Sequence, residues 1–365
     1  MSDTVTDVQR SLSAVLKPCG WLYGRAMRLR GKLYKKGLAR SWTPSAPTVS
    51  VGNIGWGGTG KTPVADWLLG WAGSRGLRTV LLTRGYRAKP TTLPYVVRPG
   101  ALAEEAGDEP LMLARNHERA HVVVDPDRVR AGKMAEREFD PGLIVLDDGF
   151  QHMAVRRHVN LVLLRPDDLG DGWDKVLPAG SWREPKDALK RADAFMIKTS
   201  PEGFEELRSV IDKRLGLLFK PVFSFSIAPT GVRHVVSGRA APDLEQADYL
   251  LVSGVGEPGQ VAATAERYLG YGPKDHLVFR DHHAYTKKDV LRIAGAAERT
   301  GCGAVLCTPK DAVKLGPLCT EAFWQFDLRV EFGPSTLGRD ITFESWWEAR
   351  FEETRGRKAG HGGNG

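Results

Sequence analysis

Gly55-Trp56-Gly57-Gly58-Thr59-Gly60-Lys61-Thr62 fits the phosphate-loop pattern G-x-x-x-x-G-K-[ST] at every defined position. Glycines let backbone N–H groups turn inward around a phosphate, and a helix starting there aims its positive end at the anion. Lys61 is spaced to reach β- and γ-phosphates, and the Thr62 hydroxyl to ligate Mg²⁺. Four glycines, the Lys and the Thr fall in register, which a chance Gly-rich turn does not explain. The motif predicts a bound nucleoside triphosphate with its metal ion.

Other clusters follow. Leu143-Ile144-Val145-Leu146-Asp147-Asp148 is an apolar run ending in two acids, the pattern of a Walker B element that serves Mg²⁺ opposite Thr62. Gly107-Asp108-Glu109-Pro110 puts two carboxylates at the start of a helix, where residue types alone favour capping. Asp281-His282-His283 follows another apolar run; adjacent side chains in an extended segment point apart, so the two imidazoles do not share a metal. One of them is a candidate base or orienter if two domains face each other. Phe150-Gln151-His152 follows the acids directly, and Thr83-Arg84-Gly85-Tyr86 closes another apolar run, both at positions where ligands gather in open α/β sheets.

The elements that hold these residues alternate. Strands are expected at 48–53, 79–83, 121–124, 143–147, 159–164 and 194–198, with helices at 61–74, 109–118, 127–138 and 203–214. This predicts an α/β, P-loop NTPase-type, doubly wound, mainly parallel sheet over 41–220. Two short extended runs, 223–227 and 232–236, joined at Ala228-Pro229-Thr230-Gly231, read as a two-stranded β connector over 221–240. A second, smaller Rossmann-like α/β domain is expected over 241–354, with strands at 249–252, 276–280 and 303–307, and a disordered basic tail over 355–365.

Residues 1–40 form a segment of their own. From 12 to 40 the chain carries Lys17, Arg25, Arg28, Arg30, Lys32, Lys35, Lys36 and Arg40 and no acid. On a helix, Leu22, Ala26, Leu29 and Leu33 share a stripe, with Tyr23, Met27 and Tyr34 widening it. Such a helix suits an anionic membrane surface, or packs on a core through its leucines; periodicity fits both. No nucleic-acid recognition module accompanies the basic run, and no nucleic-acid partner is expected.

The 365 residues allow two domains, and 42% hydrophobic with 26% charged residues is an ordinary globular balance. A formal charge of +8 favours anionic partners without choosing among them. Cys19, Cys302, Cys307 and Cys319 lack C-x-x-C spacing, as expected of reduced cytosolic thiols. No apolar run approaches the ~20 residues of a membrane span, and no signal peptide opens the chain.

Read together, Gly57-Gly58-Thr59-Gly60-Lys61-Thr62, Arg84-Gly85-Tyr86, Gly107-Asp108-Glu109-Pro110, Pro126-Asp127-Arg128, Asp147-Asp148-Gly149-Phe150-Gln151-His152, Leu177-Pro178-Ala179-Gly180, Arg183-Glu184-Pro185, Asp281-His282 and Lys310-Asp311-Ala312-Val313-Lys314 resemble, in order, the tetraacyldisaccharide 4′-kinases of lipid A synthesis. The resemblance implies an ATP- and Mg²⁺-dependent enzyme that phosphorylates the 4′-hydroxyl of an acylated glucosamine disaccharide 1-phosphate, giving lipid IVA. It implies peripheral attachment, through the N-terminal helix, to the cytoplasmic face of a bacterial inner membrane. Carried over by residue, Asp108 activates the acceptor with His282 as its partner, and Lys61 acts on the phosphates. Asp147 holds Mg²⁺ beside Thr62, with Asp148 and Glu109 near it. Arg84, Tyr86, Gln151, His152 and Arg183 meet the lipid head group. Pro309, Arg87-Ala88-Lys89 and Asp174-Lys175 depart from the family's pattern.

Two rivals are disfavoured. A GTPase needs an Asn/Thr-Lys-x-Asp element, and Thr308-Pro309-Lys310-Asp311 has the wrong order. A membrane-surface switch ATPase often carries a Lys early in the loop, where this chain has Trp56.

Overall fold

The computed structural model describes residues 2–338 and 341–359, with side chains except those of 2–14, 317 and 357–359. Its strands are β1 (Thr48–Asn53), β2 (Thr79–Thr83), β3 (Tyr95–Val97), β4 (Ala120–Val124), β5 (Leu143–Asp147), β6 (Val159–Leu164), β7 (Ala194–Lys198), β8 (Val222–His234), β9 (Ala240–Ala241), β10 (Tyr249–Ser253), β11 (Asp275–Val278), β12 (Ala304–Cys307) and β13 (Phe323–Thr336). Its helices are α1 (Ser2–Lys35), α2 (Lys61–Ser74), α3 (Ala103–Ala106), α4 (Asp108–Asn116), α5 (Arg128–Phe139), α6 (Pro166–Leu169), α7 (Pro201–Leu215), α8 (Pro258–Leu269), α9 (Lys287–Thr300), α10 (Pro309–Leu315) and α11 (Phe343–Ala359).

Val- and Leu-rich β1, β2, β5 and β6 are buried on both faces, which is what a parallel sheet sandwiched between helices requires. In the first lobe the order is β8-β7-β6-β1-β5-β2-β4-β3, parallel except for the edge strand β3. β11-β10-β12-β13 forms a second parallel block, and β8 and β13 pair antiparallel, so one thirteen-stranded sheet runs through both lobes. The C-terminal ends of β1, β2, β4 and β5 share one edge of the first lobe, and the candidate residues lie there.

The connector differs from the expected one. Ala228-Pro229-Thr230-Gly231 is not a turn: it lies within β8, and the second strand is β13, paired with β8 from Trp324–His234 to Thr336–Val222. Register shifts at Asp327/Leu328 and at Phe332/Ser335 let the long ribbon bend. The C-terminal region differs too. The helix that follows the connector packs Phe343, Trp346, Trp347 and Phe351 into the first lobe's core, with Phe343 edge-on to Trp67, Trp347 and Phe351 edge-on to Trp71, and Trp346 against Phe223. It is a first-lobe element and extends to Ala359, past the expected start of a tail at Arg355; residues 360–365 lie outside the described residues.

The leucine stripe of α1 does not pack on the core. Leu22, Leu29 and Trp21 are exposed, while Gly20 and Gly24 face the body. A Cβ built on Gly20 would stand 3.3 Å from Ala179, and one on Gly24 3.4 Å from Pro185, so small residues let the helix approach closely. The Tyr23 hydroxyl donates to Arg183 O at 2.8 Å, and Arg30 Nη2 to Gln151 O at 2.8 Å. Among the described residues no helix is long and apolar enough to cross a membrane.

Candidate active site

β1 runs into the loop 55–62, and α2 begins at Lys61 with Gly60 as its N-cap. Gly60 sits at φ 85° and Gly57 at φ 108°, left-handed values that glycine adopts freely. A Cβ at Gly60 would also meet the Phe225 ring at 2.9 Å. No side chain caps α2, which leaves its first N–H groups facing the loop. The hydroxyl of Thr59 and the amide nitrogen of Asn53 are buried with no hydrogen-bond partner. Uncapped N–H groups and two orphaned donors around a glycine cradle fit a polyphosphate.

Lys61 Nζ lies 3.2 Å from Asn53 Oδ1 and 3.5 Å from Asp148 Oδ1. Asp148, at φ 48°, also takes Arg183 Nη1 at 2.8 Å, and Arg183 reaches Gln151 Oε1 at 3.3 Å. Burial raises the Asp148 carboxyl, but Lys61 and Arg183 outweigh it and hold it below the usual carboxylate range. Asp147 accepts from Thr83 Oγ1 at 2.8 Å. Burial, with Glu109 and Asp148 nearby, pushes it up to about 6. Glu109 accepts hydrogen bonds from the Thr62 hydroxyl and from Lys310. Glu109 on the Thr62 hydroxyl, with Asp147 within reach of its charge, suits a divalent cation. Among the described residues no three His, Cys, Asp or Glu form a ready cage; Mg²⁺ takes one or two carboxylates and completes its shell with phosphate and water.

Asp108 opens α4, and Asp108 Oδ2 accepts from His282 Nδ1 at 3.1 Å. His282 comes from the second lobe, in the loop after β11, at φ 58°. Lys314 Nζ of α10 stands 3.6 Å from the same oxygen. Burial raises Asp108, yet the His282 hydrogen bond and the charges of Lys314 and Lys310 leave it lowered, hence ionised at neutral pH. His283 turns the other way, to Asp289 Oδ2 at 3.1 Å, although 281–282 form a turn, with His282 at φ 58°, and not the extended run expected.

Asp108 and His282 thus meet, as do Thr62 with Glu109, Lys61 with Asp148, and Arg183 with Asp148 and Gln151. Arg84 and Tyr86 line a cavity of about 310 Å³ with Arg87 and Pro126, and the Tyr86 ring lies 5.7 Å from that of His282. Trp56 faces a second cavity, about 370 Å³, with Tyr23, Met27, Arg30, Gln151 and Arg183. Gly55 bridges to Trp182, and Gly58 has open space beside it. His152 stands apart: its Nε2 is buried without a partner. Lys310 and Lys314 have no role in the sequence reading. Their spacing of four on a helix was the available signal, since it puts both on one face.

Burial, with Arg128 and Arg157, pushes His152 down from 6.5 to about 4. Between those values the unfolded chain takes up a proton that the folded chain refuses. The histidine's contribution is therefore full above 6.5 and lost as pH falls toward 4. His152→Gln is expected to flatten the fall in Tm across that window. An unchanged pH dependence of Tm would mean that the imidazole charges without cost.

A sequence profile described as tetraacyldisaccharide-1-P 4′-kinase matches residues 12–343. A tetraacyldisaccharide 4′-kinase from Nitratidesulfovibrio vulgaris is 50% identical over 356 residues, covering 98% of this chain and 99% of its own. One from Oleidesulfovibrio alaskensis is 47% identical over 356 residues, covering 96% of this chain and 98% of its own. The crystal structure of LpxK from Aquifex aeolicus in complex with ATP matches with a TM-score of 0.75 at 28% identity, covering 94% of this chain and 99% of that one. With the motifs, the two-lobed sheet and full-length relatives in agreement, the chain belongs to the tetraacyldisaccharide-1-P 4′-kinase family.

Proposed function

We propose that this chain is a lipid kinase of lipid A biosynthesis. It transfers the γ-phosphoryl of ATP to the 4′-hydroxyl of a tetraacylated glucosamine disaccharide 1-phosphate, forming lipid IVA. The observation that carries the reading is a carboxylate, Asp108, oriented by His282 from the opposite lobe, on the sheet edge that also holds the phosphate loop.

Phosphoryl transfer asks for positioning and charge neutralisation more than covalent chemistry. Bound MgATP supplies the phosphoryl group and a divalent charge beside it. The loop amides and Lys61 would hold the phosphate oxygens, and Thr62, Asp147 and Glu109 would hold the metal. Asp108 accepts the acceptor hydroxyl's proton as the hydroxyl oxygen bonds to phosphorus. His282 holds the Asp108 carboxylate in line and stabilises it through Nδ1. Tyr86 and Arg84 on one side, and Arg183 and Gln151 on the other, contact the sugar head group, while docked lobes exclude water.

Mass spectrometry of the disaccharide lipid after incubation with MgATP tests the function. A gain of one phosphate on the lipid supports it; ATP hydrolysis with the lipid unmodified refutes it.

We further propose that α1 lies on the anionic cytoplasmic surface of the inner membrane. Trp21, Leu22 and Leu29 point away from the body, amid Lys17, Arg25 and Lys32, while Arg28 pairs with Asp187 of the body at 2.9 Å. Each cation near an anionic leaflet contributes roughly 1 kcal/mol, and burying the exposed leucines in the leaflet adds more. Leu22→Ser with Leu29→Ser is expected to weaken binding to anionic vesicles by about tenfold or more, while turnover of detergent-dispersed lipid holds. Unaltered vesicle binding would refute this attachment.

A further inference from the structure

We propose that Lys314 is a positioning residue for phosphoryl transfer. Anchored in the second lobe, it aims Asp108 of the first, so that the base is assembled only when the lobes dock. The proposal rests on Asp108 being the base.

The Lys314 side chain is 7% exposed, with Nζ 3.3 Å from Asp311 Oδ1 and 3.6 Å from Asp108 Oδ2. An ammonium this buried is retained where it is paired, and here both partners are carboxylates. Asp311 is a fixed post: it is fully buried and accepts from Gly254 N at 3.0 Å, Thr308 Oγ1 at 2.7 Å and Tyr285 Oη at 3.1 Å. A Cβ on Gly254 would come 2.9 Å from Asp311 Oδ1, so the loop after β10 is pressed onto that carboxylate. α10 has a defined start, with Thr308 as N-cap and Pro309 in its first turn. Pro309, a departure from the family's pattern, therefore shapes the helix that carries Lys314.

His282 is held less firmly. It sits in a loop at φ 58°, and its side chain is 22% exposed. A single imidazole–carboxylate contact leaves the carboxylate free to pivot. A second cation on a rigid strut, 3.6 Å from the same oxygen, limits that freedom, and the productive geometry of a base is sensitive to displacements of ångström size. One turn along α10, Lys310 takes Glu109, so two lysines four residues apart engage two consecutive carboxylates. The pairing fixes the register of docking. Among the described residues both ion-pair partners of Asp108, His282 and Lys314, belong to the second lobe. With the lobes apart, Asp108 has neither.

Steady-state transfer to the disaccharide lipid, with full-length protein and MgATP, tests this beside Asp108→Ala. Lys314→Met is expected to lower kcat ~10- to 100-fold with the KM for ATP within about twofold, and Lys314→Arg to recover part of the loss. Tyr285→Phe, which keeps Lys314 but removes one donor to its post, is expected to lower kcat severalfold at constant KM. Thermal melts show whether each variant is folded. A Lys314→Met kcat near wild type, while Asp108→Ala is inactive, would overturn the role of Lys314 and leave the base assignment standing. An active Asp108→Ala would overturn the base itself. Equal losses of kcat and ATP affinity in the Met and Arg variants would reduce Lys314 to a structural part. If Lys314→Met does not fold, an unchanged kcat in Tyr285→Phe overturns the proposal.

Discussion

Asp108→Ala is expected to bind ATP with near-normal affinity and to transfer its phosphoryl group at least ~10²-fold more slowly, the usual scale for losing a positioned general base. The geometry gives the reason for the split. Asp108 pairs with His282 and Lys314, while the phosphate loop is held by β1, α2 and its own glycines. Removing the carboxylate leaves the cradle intact and the acceptor hydroxyl without a proton acceptor. Asp108→Asn separates charge from shape: it can keep a contact to His282 but takes no proton, and it is expected to be as slow as the alanine variant. Transfer rates measured on the lipid at saturating ATP decide the matter, and a near-normal rate in either variant would remove Asp108 from the chemistry.

Lys61→Ala is expected to be more damaging overall, with turnover down ~10²- to 10³-fold and ATP affinity weakened as well. Lys61 Nζ lies between Asn53 Oδ1 and Asp148 Oδ1, at the mouth of the uncapped α2. Its charge therefore serves two ends: the phosphates, and the acid at the end of β5. Without it, Asp148 keeps, among the described residues, only the Arg183 cation at ion-pair distance. Lys61→Arg is not expected to restore activity, because a forked guanidinium does not replace a compact ammonium in a tight loop. Isothermal titration with ATP and turnover assays read the two effects separately; full activity in Lys61→Ala would discard the phosphate-loop assignment.

Much of the first lobe is legible because its signals are local. Thr48–Asn53 and Lys61–Ser74 fall where β-branched residues, glycines and apolar periodicity put them. The connector is misread for a complementary reason. Pro229 and Gly231 look like a turn, yet they lie in a strand whose partner is far along the chain. Trp324, Phe326, Leu328, Val330 and Phe332 alternate with polar residues as a strand should, but no local feature names β8 as their neighbour. At the site, residue types alone favour the carboxylates of 108–109 as helix caps, yet Gly107 is the N-cap and no side chain caps the helix. Only the tertiary fold shows that Lys310, 201 residues from Glu109, meets it. Of the His282-His283 pair, residue types cannot say which imidazole turns to Asp108. The loop after β11 decides it, with His282 in a left-handed conformation that sequence does not announce.

The way the chain leaves and re-enters the first lobe bears on synthesis at the ribosome. The second lobe is spliced between β8 and β13, and Phe343, Trp346, Trp347 and Phe351 close the core built around α2 and β1. A nascent chain can form the nucleotide loop early, but its aromatic lid emerges only after the whole second lobe. Until then Trp67, Trp71 and Phe223 lack their covering rings. The inserted lobe is a contiguous segment with its own core, and can complete itself while the surrounding one waits. Truncation just before Phe343 should therefore yield an aggregation-prone chain rather than a trimmed enzyme.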